Sequence, residues 1–193
     1  MSDALTRTTF FYDFRSPYSY LASTQLEDLP GEFDWRPIDV LELMKRVGNV
    51  PTTVICKPKQ AYARDDLGRW AALYGAPLRP NPGMGAINGE RLLHAALAAG
   101  SLGQGEVAAR RLFGAMWAGD APLGTAEEVV TLLGDLGVTQ ALVEAPERAA
   151  ELETNIAQAV EAGVFGAPSF VTEGGLLFFG NDRLDFLRRA LAA

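Results

Sequence analysis

The stretch Thr9-Phe10-Phe11-Tyr12-Asp13-Phe14-Arg15-Ser16-Pro17-Tyr18-Ser19-Tyr20-Leu21-Ala22 constrains the fold more than any other part of the chain. Phe10 to Phe14 is aromatic-rich between polar residues, which predicts a buried strand. Ser16 followed by Pro17 predicts a helix start, because the hydroxyl can accept from free backbone N–H groups and proline suits the first helical position. Tyr18, Leu21, Ala22, Leu26 and Leu29 then fall at helical spacing on one apolar face. Ser16 is therefore expected at the C-terminal edge of a central strand. The positive end of the following helix can hold an anion there, such as a thiolate.

Further along, the Pro30-Gly31 turn leads into a second strand, Phe33 to Ile38, and two strands flanking a helix with short loops make a βαβ unit. Asp39 is placed to cap a short helix, Val40 to Val47, stopped by Gly48-Asn49. Pro51 to Pro58 reads as loop, Lys59 to Tyr74 as helix, and Arg79 to Gly89, with its prolines and glycines, as an irregular connection expected to line a cleft. Helices are expected over Glu90–Ala99, Gly105–Trp117 and Thr125–Leu136, and another from Pro146 to about Ala162. Pro168–Thr172 and Leu176–Phe179 flank Glu173-Gly174-Gly175, a hairpin signal. Asn181-Asp182 precedes a last helix, Arg183 to Leu191.

The order is βαβ, a block of helices, then αββα. Without the block this is the thioredoxin topology. The fold class expected is α/β, thioredoxin-like, with a large all-helical insertion at about 59–145 in a single domain spanning 1–193. A chain of 193 residues with 48% hydrophobic content can bury such a core.

Composition narrows function. No apolar run is long enough for a membrane span, and Met1 to Thr9 lacks the basic-then-apolar pattern of a secretory leader, so a cytoplasmic protein is expected. One cysteine, Cys56, permits neither an intramolecular disulfide nor a Cys-x-x-Cys pair. A net charge of −7 argues against nucleic acid as the main partner. Yet Arg36 to Arg79 holds eight basic residues against four acidic, a local +4 that leaves −11 elsewhere. That cluster is either a solvated surface or a basic wall for small anionic ligands.

In thioredoxin-like folds the turn after the first strand carries the reactive group. Here it reads Ser16-Pro17-Tyr18-Ser19, so disulfide exchange has no sulfur to use at this turn. A serine hydroxyl at a helix N-terminus can instead donate to a bound thiolate and lower its pKa; it can equally be a plain cap. Pro168, after Gly166-Ala167, is a candidate cis proline beside a peptide-binding backbone, or a simple strand start. Gly180-Asn181-Asp182 can present a carboxylate to an ammonium, or merely cap a helix. His94 lies on an Ala/Leu-rich face and reads as structural or surface, and one His with one Cys makes a zinc site very improbable. Cys56 reads as a small hydrophobe whose neighbour Lys57 can lower its pKa. Trp70 and Trp117 fit helical core positions.

Five stretches taken together resemble the 2-hydroxychromene-2-carboxylate isomerase family, kin of the kappa-class glutathione transferases. They are Asp13 to Ala22, Gly48-Asn49-Val50-Pro51, Asp66-Leu67-Gly68-Arg69-Trp70-Ala71, Val164 to Phe170, and Phe179-Gly180-Asn181-Asp182-Arg183-Leu184. The resemblance implies glutathione as cofactor and a homodimer. It implies Ser16 on the glutathione sulfur, Ala167 and cis-Pro168 beside its cysteinyl amide, and Gly180, Asn181 and Asp182 at its γ-glutamyl end. Asn49 and Lys45 or Lys59 would face a small anionic aromatic substrate or the glutathione carboxylate. The implied reaction is reversible addition of the thiolate to an electron-poor double bond, isomerising a chromene carboxylate to an open 2-oxo acid. Pro80 to Asn88 departs from the family pattern, where a bulkier aromatic loop is common. Two other readings stay open: a kappa-like glutathione transferase acting on other electrophiles, and a non-catalytic thioredoxin-like binding module.

Overall fold

A computed structural model describes residues 7–192, with the backbone alone at Thr53 and Val54. The expectation drawn from Met1 to Thr9 therefore falls largely outside the described residues. Strand β1 spans Arg7–Tyr12 and β2 spans Glu32–Pro37; they pair in parallel, with Phe10 opposite Trp35. Strands β3 (Ser169–Thr172) and β4 (Leu177–Phe179) complete a sheet of order β2-β1-β3-β4 in which β1–β3 and β3–β4 are antiparallel. The aromatic run makes β1 central. Phe10 stacks on Phe170 of β3 with ring centroids 4.9 Å apart and meets the edge of Trp35 of β2 at 5.0 Å.

Strand β1 ends at Tyr12, two residues before the predicted limit, because the Ser16 amide turns back to the Asp13 carbonyl at 3.0 Å. Helix α1 (Pro17–Ser23) follows, and then a 3-10 turn at Leu26–Asp28. Helix α2 (Val40–Arg46) is capped by Asp39, which accepts from the Leu41 and Glu42 amides. The segment read as loop is helical instead. It forms a short α3 (Thr52–Ile55), and α4 (Lys57–Tyr74) begins before Pro58, since proline in a first turn costs no hydrogen bond.

The inserted helices continue as α5 (Gly89–Gly100), α6 (Gly105–Trp117), α7 (Ala126–Leu133), α8 (Gln140–Val143) and α9 (Glu147–Glu161), with α10 (Leu184–Leu191) closing the chain. Helix α8 was not expected; at four residues it is too short for a periodic signal. Helix α7 carries a capping box, Thr125 with Glu128, and runs on through a 3-10 turn to Leu136.

The helical block and the sheet share one core. Phe113 of α6 packs on Tyr12 and Phe14, with centroids 5.4 and 4.8 Å away. Trp117, buried as expected, donates its indole N–H to the Phe14 carbonyl at 2.7 Å. The connection from Arg79 to Gly89 is pinned against the end of α6: the Asn81 amide donates to Met116, and its side chain bridges the Ala115 and Ala121 carbonyls. No helix among the described residues is long and apolar enough to cross a membrane.

Candidate functional site

The C-terminal end of β1 opens on a cleft of about 1060 Å³, walled by α1, α2, α4 and the turns around β3 and β4. Ser16 sits at its base. The residue has extended backbone, φ −92° and ψ 109°, as a helix cap requires. Its Oγ accepts from the Ser19 amide at 3.1 Å and donates to the Ala167 carbonyl at 3.2 Å. The Ala167–Pro168 bond is cis, and both residues line the cleft. Two segments 151 positions apart thus meet through one hydroxyl.

Beyond them, Gly180 turns the chain from β4 toward the last helix with φ +93°. A Cβ there would lie 2.4 Å from Asp182 Oδ1, so only glycine lets the carboxylate fold back. The Gly180 amide donates to the Pro168 carbonyl at 2.9 Å, which fixes this turn beside the cis proline. Asn181 is buried; its carbonyl accepts from the Tyr74 hydroxyl at 2.8 Å. Gly180, Asn181 and Asp182 all line the cleft.

The apolar wall comes from α2 and the turns. Phe165 and Phe179 lie 4.7 Å apart, and Gly166 allows this, since a Cβ on it would be 2.8 Å from Phe179 Cε2. Asn49 lines the cleft and donates to the Phe165 carbonyl at 2.7 Å, so it holds the wall. Trp70 packs on the core and also lines the cleft, so the expectation of a core role alone was too narrow.

The basic segment contributes apolar and small residues to the cleft wall but not its positive charge. Among the described residues none of its eight cations lines the cleft. Arg36 pairs with Asp34, and Arg46 with Glu42 and Glu153. The Lys45 side chain is 80% exposed and faces Glu42 at 3.5 Å. Lys59 reaches only the rim, where its ammonium donates to Thr52 Oγ1 at 3.1 Å. Lysine placement depends on which side of a helix meets the sheet, and spacing leaves that open.

Besides Thr52 at the rim, three polar lining residues carried no predicted role. The Tyr18 hydroxyl donates to Asp66 Oδ2 at 3.0 Å, linking α1 to α4. Burial, this bond and the nearby carboxylates push the Tyr18 phenol well above its ordinary value, so it stays a donor. Arg15 is the third, and Asp13 binds it. The signal was available for Tyr18 and Arg15, which flank Ser16 and Pro17 in the reactive turn. Asp66 lies 48 residues beyond Tyr18 and gave no such signal. Cys56 is half-buried just before α4, and His94 stands 3.9 Å from Glu90, away from the cleft.

This sheet, the cis proline and the turn into α1 define a thioredoxin-domain protein, and residues 7–192 match the model of the DSBA-like thioredoxin domain. A 2-hydroxychromene-2-carboxylate isomerase of Sphingobium xenophagum is 34% identical over 97% of this chain and 99% of its own length. One from Pseudomonas putida is 32% identical over 94% and 92%. The chain belongs to the 2-hydroxychromene-2-carboxylate isomerase family. A solved 2-hydroxychromene-2-carboxylate isomerase superposes with a TM-score of 0.80 at 26% identity, covering 96% of this chain and 94% of that one. A probable DsbA oxidoreductase from Streptomyces coelicolor, 19% identical with a TM-score of 0.73 over 96% and 88%, shares the fold.

Proposed function

We propose that this protein is a glutathione-dependent isomerase that interconverts a 2-hydroxychromene-2-carboxylate and the open trans-o-hydroxybenzylidenepyruvate type of 2-oxo acid. The observation that carries the reading is the Ser16 hydroxyl, poised between the Ser19 amide and the Ala167 carbonyl at the start of α1. The residues present fit the tripeptide. A hydroxyl and helix N-terminus suit its sulfur, the Ala167 backbone beside cis-Pro168 suits its peptide amide, and Asp182 with Asn181 suits its charged γ-glutamyl end. When bound, glutathione supplies a nucleophile that adds reversibly to an electron-poor double bond.

The protein's own part is positioning and proton placement. Ser16 Oγ, turned from the Ala167 carbonyl, donates to the sulfur and favours its ionised form. Tyr18 and Asp66 hold α1 against α4, and Phe165, Phe179 and Trp70 provide apolar surface for a flat aromatic substrate. Asn49 keeps the Phe165 turn in place, whereas Lys45 and Lys59 would have to reach inward from the surface and the rim. The shared core of sheet and helices supports a single domain with a helical insertion. A cytoplasmic homodimer completes the proposal on family resemblance.

The test is an absorbance assay with a chromene carboxylate, with and without glutathione, beside a thermal melt in glutathione. Turnover that requires glutathione supports the reading. Absence of turnover at high enzyme concentration removes the isomerase assignment. Absence of a melting shift removes glutathione, since a ligand at about 100 times its Kd adds roughly 2.7 kcal/mol.

A further inference from the structure

Arg15 precedes Ser16, and among the described residues it is the one cation that lines the cleft; the other charged lining residues are Asp66 and Asp182. Its guanidinium is held on one edge only. Nε donates to Asp13 Oδ1 at 3.0 Å, and Nη2 pairs with Asp13 Oδ2 and, at 2.8 Å, with Asp39 Oδ1. Nη1 has no partner among the described residues, and the side chain is 32% exposed. A fixed guanidinium with one free N–H₂ group is a ready carboxylate donor, because its rotamer entropy is already lost.

The two carboxylates do not cancel it. Asp13, fully buried, also accepts from the Arg15 amide at 2.8 Å and the Val40 amide at 3.0 Å. Asp39 accepts from the Leu41 and Glu42 amides. Backbone N–H groups therefore share in compensating both acids. The aliphatic stem of Arg15 lies across Gly89 at the start of α5, where a Cβ would come within 2.7 Å of Arg15 Cδ. Gly89 follows directly on Pro80 to Asn88, where this chain departs from the family pattern. That loop does not line the cleft itself; the residue after it touches the cleft through Arg15.

We propose that Arg15 is the specificity-determining residue that receives the carboxylate of the second substrate through Nη1, which selects anionic over neutral aromatic substrates. The inference rests on reading the cleft as a site for glutathione and an aromatic acid. Positive charge from the Arg36–Arg79 segment is not needed for it.

The probes are trans-2-hydroxycinnamate and its methyl ester, titrated by calorimetry into the full chain, R15Q and G89A. The wild type is expected to bind the acid at least tenfold tighter than the ester. R15Q removes the guanidinium, and G89A displaces it while keeping its charge; both are expected to reduce that ratio to near one without weakening the ester. Melting curves establish that each variant is folded, and if R15Q is not, G89A carries the test. An acid-to-ester ratio near one in the wild type, or one that survives in the folded variants, overturns the proposal. Isomerase assays separate this from the function proposed above. A preference for the acid without turnover overturns only the isomerase reading. Turnover with an unchanged ratio in R15Q overturns only the role of Arg15.

Discussion

The Oγ of Ser16 stands 3.2 Å from the carbonyl oxygen of Ala167, so the hydroxyl proton of the reactive turn points at the backbone that precedes cis-Pro168. A bound sulfur has to win that proton. A thiolate does so because a hydrogen bond to a charged acceptor is about twice as strong as one to a neutral carbonyl.

Ser16→Ala is expected to raise the pKa of bound glutathione by about one to two pH units. A hydrogen bond to a charged group contributes about 1.5–3 kcal/mol, and one pH unit corresponds to about 1.4 kcal/mol. The fold should persist, because the loss at the start of α1 is one cap. Titration of the ultraviolet thiolate absorbance in both proteins measures this, and coincident curves would take Ser16 out of the mechanism.

Gly180→Ala should cost stability and glutathione affinity together. At φ +93° and ψ 154° the backbone lies in a region nearly reserved for glycine, and occupancy by alanine costs of order 1–3 kcal/mol. The new methyl also meets Asp182 Oδ1 and displaces it. A denaturant melt and a glutathione titration check both effects. Normal affinity in a destabilised variant would separate Asp182 from the ligand.

Trp117→Phe isolates one bond between the helical block and the reactive turn. The Phe14 carbonyl loses its donor in a buried setting, which costs about 1–3 kcal/mol. Urea unfolding should show the loss with an unchanged m-value. A variant as stable as the wild type would mean that another donor, such as water, reaches Phe14.

Acid sensitivity follows from Asp39. Burial favours its neutral form, but the Glu42 amide, the Arg15 guanidinium and the Leu41 amide outweigh this and hold the carboxyl below its ordinary 3.8. A depressed folded-state pKa contributes stability that is fully present above 3.8 and is lost as pH falls through the lower folded value. The melting temperature of the wild type should therefore fall more steeply below about pH 4 than that of Asp39→Asn. Parallel acid limbs would contradict this.

Much of the fold was legible because its signals are local. The aromatic run of β1, Ser16-Pro17 at the start of α1, Asp39 before α2, and the glycines between β3 and β4 each bias their own backbone, whatever surrounds them. The order of those elements then leaves few topologies, and the thioredoxin arrangement is one that buries Phe10 between Trp35 and Phe170. Helix α3 and the early start of α4 were misread because two prolines suggest a loop, although a proline in a first turn is compatible with a helix.

The site divides along the same line. Ser16, Ala167, Pro168, Gly180, Asn181 and Asp182 are chain-turning residues, and the sequence, through its family resemblance, implied that they would gather around one ligand. It did not determine which charges would look inward. Lys45 and Lys59 sit in a basic segment yet stay at the surface or rim, whereas Arg15, read only as part of the opening stretch and given no role, is the one cation in the cleft among the described residues. Only the tertiary structure decided this. A long charged side chain goes where partners fixed by packing will hold it, and the partners of Arg15 are Asp13, Asp39 and the bare backbone of Gly89.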